Sequence, residues 1–114
     1  MNSKVYACDL DATLAQYDHW RGIEHIGPAI PLMLERVKRW LAQGHNVVIF
    51  TARASEPQAI PYIQQWLKRN GLPNLEITNV KHHDFSEIWD DKAVQVVPNK
   101  GIPIIVLRQQ KENE

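Results

Sequence analysis

The chain alternates between short apolar runs and longer segments with a helical hydrophobic stripe. Lys4-Val5-Tyr6-Ala7-Cys8 is short, apolar and β-prone and ends at Asp9, the pattern of a buried strand. Asn46 to Thr51 is a second continuous apolar run. Between them, Ile30, Met33, Leu34, Val37, Trp40 and Leu41 recur at helical spacing, with Pro31 placed for the first turn and Gly44 for the stop. Ile60, Ile63, Trp66 and Leu67 mark a second helix, with a cap-like signal at Ser55 followed by Pro57 and Gln58, Pro61 either in its first turn or at its start, and a stop at Asn70-Gly71 and Pro73. Leu75 to Thr78 and Glu87 to Trp89 read as third and fourth short strands. Val94 to Val97 and Ile102 to Leu107 are β-prone on either side of the turn Pro98-Asn99-Lys100-Gly101. Residues 9–25 read as a turn and loop with room for a small hairpin.

Strand, helix, strand, helix, strand predicts an α/β fold, a three-layer Rossmann-like sandwich around a mainly parallel sheet with right-handed crossovers. Residues 1–108 form one expected domain and residues 109–114 a polar tail. At 114 residues there is room for one domain with its own core. Thirteen basic and 13 acidic residues give a formal net charge of +0, which removes a bulk electrostatic argument for nucleic acid or an anionic membrane. There is no apolar run near membrane-spanning length and no signal-peptide layout, and Cys8 is the only cysteine. The expectation is a soluble cytoplasmic protein without an intrachain disulfide.

Charge matters locally. In an open parallel sheet, ligands bind beyond the carboxyl ends of the strands. Asp9 and Asp11, Thr51, the Lys81 region and Asp90-Asp91 all fall at those ends. Carboxylates two apart in an extended segment point the same way and repel unless a cation lies between them. An oxygen-only donor set favours a hard ion, Mg²⁺ above all. Thr51 can offer a hydroxyl to a phosphate oxygen, and Lys81 or the neighbouring Lys92 a positive charge.

In this order, Asp9-Leu10-Asp11-Ala12-Thr13-Leu14, Val48-Ile49-Phe50-Thr51, Lys81 and Asp90-Asp91 resemble the four motifs of the haloacid dehalogenase-like superfamily of phosphohydrolases. The resemblance spans residues 4–97 and departs at Ala12, where glycine is commonest. A receiver domain uses a similar set, but with the acidic pair first and the lysine last. The family resemblance implies a Mg²⁺-dependent phosphomonoesterase working through an aspartyl-phosphate. Asp9 would be the nucleophile, and Asp11 the acid and then the base, oriented by Thr13. Mg²⁺ would be held by Asp9, the Asp11 backbone carbonyl and Asp90, with Asp91 helping through water. The backbone at Ala52, the Thr51 hydroxyl and Lys81 would bind the phosphoryl oxygens. The alternative is a catalytically silent module of the same fold.

Residues 15–29 leave space for only a small flap, and residues 54–80 are used by a helix and a strand. The chain therefore resembles the capless members of the family, whose open site suits the phosphorylated end of a nucleic acid or protein, or a small phosphorylated molecule enclosed by a second subunit of a homo-oligomer. Thr51-Ala52-Arg53 is similar to the Ser-Gly-Arg of the phosphatase domain of phage-type polynucleotide kinases, which would let Arg53 clamp a phosphate or nucleotide; the alternative is a surface arginine that caps nearby carbonyls. Tyr17, His19, Trp20 and Arg21 lie in the flap, where they would stack on a base or pack the flap down. Trp40, Trp66 and Trp89 suit core positions, Cys8 reads as a small buried hydrophobe, and His82-His83 lacks partners for a zinc site.

Overall fold

In the computed structural model, which describes residues 2–104, four parallel strands form one sheet in the order β3-β2-β1-β4. β1 is Val5–Cys8, β2 Asn46–Phe50, β3 Glu76–Thr78 and β4 Glu87–Trp89. Cys8 lies beside Ile49 on one side and Trp89 on the other, so the carboxyl ends of three strands finish level. The chain steps from β1 through β2 to β3 in one direction, then returns across the sheet to β4. The order therefore reverses between β1 and β4, the place where such sheets leave a crevice. The expected α/β architecture is present, and among the described residues there is no cap.

Helix α1 spans Pro31–Ala42 and α2 Ile60–Arg69. Their buried residues, Met33, Val37 and Trp40 on α1 and Ile63, Trp66 and Leu67 on α2, are the apolar stripes of the sequence. They share one core with Tyr6 and Cys8 of β1 and Val47 and Ile49 of β2, which alternate along their strands. Tyr6 stacks on Trp40 with ring centroids 3.9 Å apart, and Trp40 meets Trp89 edge-on at 5.2 Å. Each fully buried aliphatic side chain here, such as Val37 or Leu67, contributes about 2 kcal/mol. The residues of opposite phase, Ala7 and Val48, are buried on the other face. There the third layer is the irregular connection 79–86, whose Phe85 meets Phe50 edge-on at 5.5 Å.

Both helices stop by the same device. His45 N–H bonds Trp40 C=O and Gly44 N–H bonds Leu41 C=O, and Leu72 and Gly71 repeat the pair on Leu67 and Lys68. This motif needs a left-handed residue, and Gly44 and Gly71 sit at φ +86° and +76°. Of the two starts open in the sequence, α2 takes the one at Pro61 and not the one at Ser55. Glu56 precedes Pro57 and is extended, which splits residues 52–59 into two 3₁₀ turns, and the α-helix begins only at Ile60.

Residues 9–30 are a loop closed at its neck. Gln16 N–H bonds Pro28 C=O and Ile30 N–H bonds Leu14 C=O, each at 2.8 Å, and the Trp66 indole N–H bonds Gly27 C=O at 2.8 Å. The segment 16–28 thus stands as a flap on a fixed base. Gln95–Val96 and Pro103–Ile104 pair as an antiparallel hairpin, β5 and β6, about the expected turn. The rest of the β-prone run to Leu107 and the expected tail at 109–114 lie outside the described residues. No described helix is long and apolar enough to cross a membrane.

Candidate active site

At the end of β1 the ladder continues one residue, with Asp9 N–H bonded to Trp89 C=O at 2.9 Å. This holds the start of the loop against the end of β4. Carboxylate oxygens of Asp9, Asp90 and Asp91 then lie within 4.8 Å of one another. Asp9 is half-buried and Asp90 and Asp91 are exposed. One Asp9 oxygen accepts the Leu10 N–H at 2.8 Å, and one Asp90 oxygen accepts from Lys92 N–H at 2.6 Å and Ala93 N–H at 3.1 Å. Burial pushes the Asp9 carboxyl up to about 7, against the Leu10 N–H, and the charges of Asp90, Asp91 and Asp11 push the same way as burial.

The donor set suits a divalent cation. It is all carboxylate oxygen, it carries up to three negative charges, and it lacks the nitrogen and sulfur that favour zinc. A cation there would relieve the repulsion felt at Asp9. The resemblance gives Asp90 as the direct ligand and Asp91 a role through water, and the fold brings carboxylate oxygens of both to Asp9. It takes the Asp11 carboxylate elsewhere.

That destination is Arg53, 42 residues along the chain. Its Nε donates to Asp11 Oδ2 at 2.8 Å and its Nη2 to Asp11 Oδ1 at 2.9 Å, a bidentate pair. Arg53 follows β2, where Thr51 caps the first 3₁₀ turn by accepting the Arg53 N–H at 3.2 Å. The Arg53 side chain is 4% exposed, and its guanidinium is held by Asp11 and by the carbonyls of Ile23 and His25. Asp11 is oriented by Arg53 and not by Thr13, whose buried hydroxyl has no partner among the described residues.

Asp9, Asp11, Thr51, Ala52, Arg53, Asp90 and Asp91 line one cleft of about 610 Å³. Of the two lysines open in the sequence, Lys92 lines this cleft, and Lys81 lines a neighbouring groove with His82 and His83. A position beside the acidic pair of β4 is carried to the site by that strand, and Lys81 precedes the strand. His82 is paired with Glu76 at 2.9 Å, and no described cluster joins it to other metal ligands. From the flap, Tyr17, Trp20 and Ile23 wall the cleft, and Arg21 draws Asp18 into an exposed pair at 2.6 Å that holds Asp18 below the usual carboxylate range. Cys8 is fully buried with its thiol pushed up to about 12 by burial, as fits a packing residue.

Ala12 lies between the acidic loop and the flap at φ +67°. A Cβ in that region costs about 1 kcal/mol, and the greater freedom of glycine in the unfolded chain returns part of the gain. Ala12→Gly is therefore expected to stabilise the protein by about 0.5 kcal/mol, read as a rise in the thermal midpoint. A fall would mean that the loop tolerates the side chain without strain.

No family model and no curated protein matches this chain. A solved structure, described as that of a conserved protein coded by a locus of Bacteroides thetaiotaomicron, is similar to it, with 24% sequence identity and a TM-score of 0.58. The match covers 99% of this chain and 93% of that one. At this identity the likeness speaks for a shared fold alone.

Proposed function

We propose that this chain is a Mg²⁺-dependent phosphomonoesterase of the haloacid dehalogenase-like type, acting on a phosphorylated small molecule or on the phosphorylated end of a nucleic acid or protein. The observation that carries the reading is the unequal placing of two carboxylates at one strand end. Asp9 sits in a cluster with Asp90 and Asp91, and Asp11 sits outside it on a guanidinium. Two-step phosphoryl transfer needs such inequality, one carboxylate to attack and another to move protons.

An Asp9 oxygen attacks phosphorus, the ester bond breaks, and the leaving oxygen takes a proton from Asp11. Asp11 then accepts a proton from water as that water attacks the aspartyl-phosphate, returning Asp9 and inorganic phosphate. Asp9, Asp90 and Asp91 are the residues that would hold Mg²⁺, which when bound lessens repulsion between Asp9 and the phosphate and stabilises charge in transfer. The Thr51 hydroxyl already accepts the Arg53 N–H, so its own hydrogen is what it offers a phosphoryl oxygen. Lys92 lines the same cleft and supplies positive charge there. The exposed cleft mouth suits a substrate held chiefly by its phosphate.

One observation favours the second reading, a catalytically silent module: both Asp11 oxygens accept from Arg53. Hydrolysis of an aryl phosphate, with Mg²⁺ and with chelator, separates the two. The enzyme reading expects turnover that chelation abolishes. It also expects beryllofluoride with Mg²⁺ to raise the thermal midpoint, because the pair mimics a phosphorylated Asp9. A folded protein that neither turns over any ester nor responds to beryllofluoride is the silent module.

A further inference from the structure

Arg53 contacts more than Asp11. Its Nη2 also donates to His25 C=O at 2.9 Å, its Nη1 donates to Ile23 C=O at 3.4 Å, and its guanidinium lies 4.8 Å from the centre of the Trp20 ring. One buried side chain thus holds the flap by three residues and Asp11 by both oxygens. We propose that Arg53 is a positioning residue that makes flap closure and alignment of Asp11 a single event. The inference rests on the phosphomonoesterase reading for its kinetic consequence and on geometry alone for the tie.

The physical reason lies in burial and shape. A buried guanidinium that loses its partners is left uncompensated, so Arg53 is stable only with the flap carbonyls and the carboxylate together. Its planar fork fixes the plane of the carboxylate, which a single-point ammonium does not. Were the flap to lift, Arg53 would lose Ile23, His25 and Trp20, the contacts that fix the plane in which its fork holds Asp11. With the flap in place, the fork holds the Asp11 carboxylate in one orientation at the cleft.

The test uses the full chain with Arg53→Lys and, separately, Asp11→Asn, which keeps the shape of Asp11 and leaves one acceptor. Hydrogen exchange of residues 20–26 is measured without substrate. Both variants are expected to exchange there about 10-fold faster than wild type, and an unchanged flap overturns the tie. The kcat/KM of wild type and Arg53→Lys is then compared across phosphate monoesters from activated aryl to alkyl. Only the alkyl esters need a proton delivered to the leaving oxygen, so Arg53→Lys is expected to lose about 10-fold more on them than on the activated esters. Equal loss on all esters, with weaker inhibition by inorganic phosphate, would make Arg53 a phosphate ligand and overturn the positioning role. A wild type inactive on every ester would overturn the phosphatase reading instead, and the exchange measurement would still decide the tie.

Discussion

Asp9→Asn is expected to reduce turnover of an aryl phosphate by about 10³-fold or more, because the amide cannot form the acyl-phosphate bond. The same substitution should make the metal-free protein more stable at pH 8. The half-buried Asp9 keeps its proton up to about 7 in the folded chain, against 3.8 for an unperturbed aspartate. Between those values the folded state binds more protons than the unfolded state, so the contribution of Asp9 to stability falls as pH rises from about 4 to about 7 and stays low above. Asparagine carries no such charge. In chelator, the stability difference between wild type and Asp9→Asn should be small near pH 4 and should widen in favour of the variant by pH 8. Added Mg²⁺ should reverse the order at pH 8, because it stabilises wild type more than the variant. Denaturant titrations at the two pH values check this. Full turnover in Asp9→Asn would remove it as the nucleophile, and a difference that does not change with pH would show that Asp9 is not strained by its neighbours.

Gly27→Ala is expected to be strongly destabilising. A Cβ on Gly27 would lie 2.1 Å from the Gln16 carbonyl oxygen, and that atom is backbone. The neck of the flap must then part. Two hydrogen bonds at 2.8 Å are put at risk, Gln16 N–H to Pro28 C=O and the Trp66 indole N–H to Gly27 C=O. Trp66 is 2% exposed, so its N–H finds no water in exchange. An unsatisfied buried donor costs about 1–3 kcal/mol, and with the steric term the loss is about 3 kcal/mol. That corresponds to a fall of roughly 10 °C or more in thermal midpoint for a domain of this size. Gly44→Ala is the control. A Cβ there meets nothing within 4 Å, and only its φ of +86° opposes the change, which costs about 1 kcal/mol. If Gly27→Ala proves no more harmful than Gly44→Ala, the neck is not a rigid base for the flap.

The elements of this chain are written locally. Cys8, Val37, Ile49 and Leu67 are wholly buried, and each belongs to an apolar run or stripe that a window of ten residues reveals. The stops at Gly44 and Gly71 are likewise a matter of a few neighbouring residues. Even the placing of Asp9, Thr51 and Asp90-Asp91 at one sheet edge follows from strand order, because parallel strands end on the same side. The helix start at Ile60 was less legible, since Pro57 and Pro61 each permit a first turn and only packing selects between them.

The pairings inside the site are of another kind. That Asp91 joins Asp9 beside Asp90, that Lys92 lines the cleft, and that Asp11 turns to Arg53 all depend on the register of β1 against β2 and β4. A slip of one residue would send each side chain to the opposite face. Register is settled by the whole core at once, by Tyr6 on Trp40, by Trp89 beside Trp40, and by Trp66 holding the flap neck at Gly27. Local pattern therefore names the kinds of residue that gather at the edge of the sheet. Which of them touch is decided by long-range packing, because bonds spanning 42 residues, such as Arg53 to Asp11, leave no periodic trace in the chain.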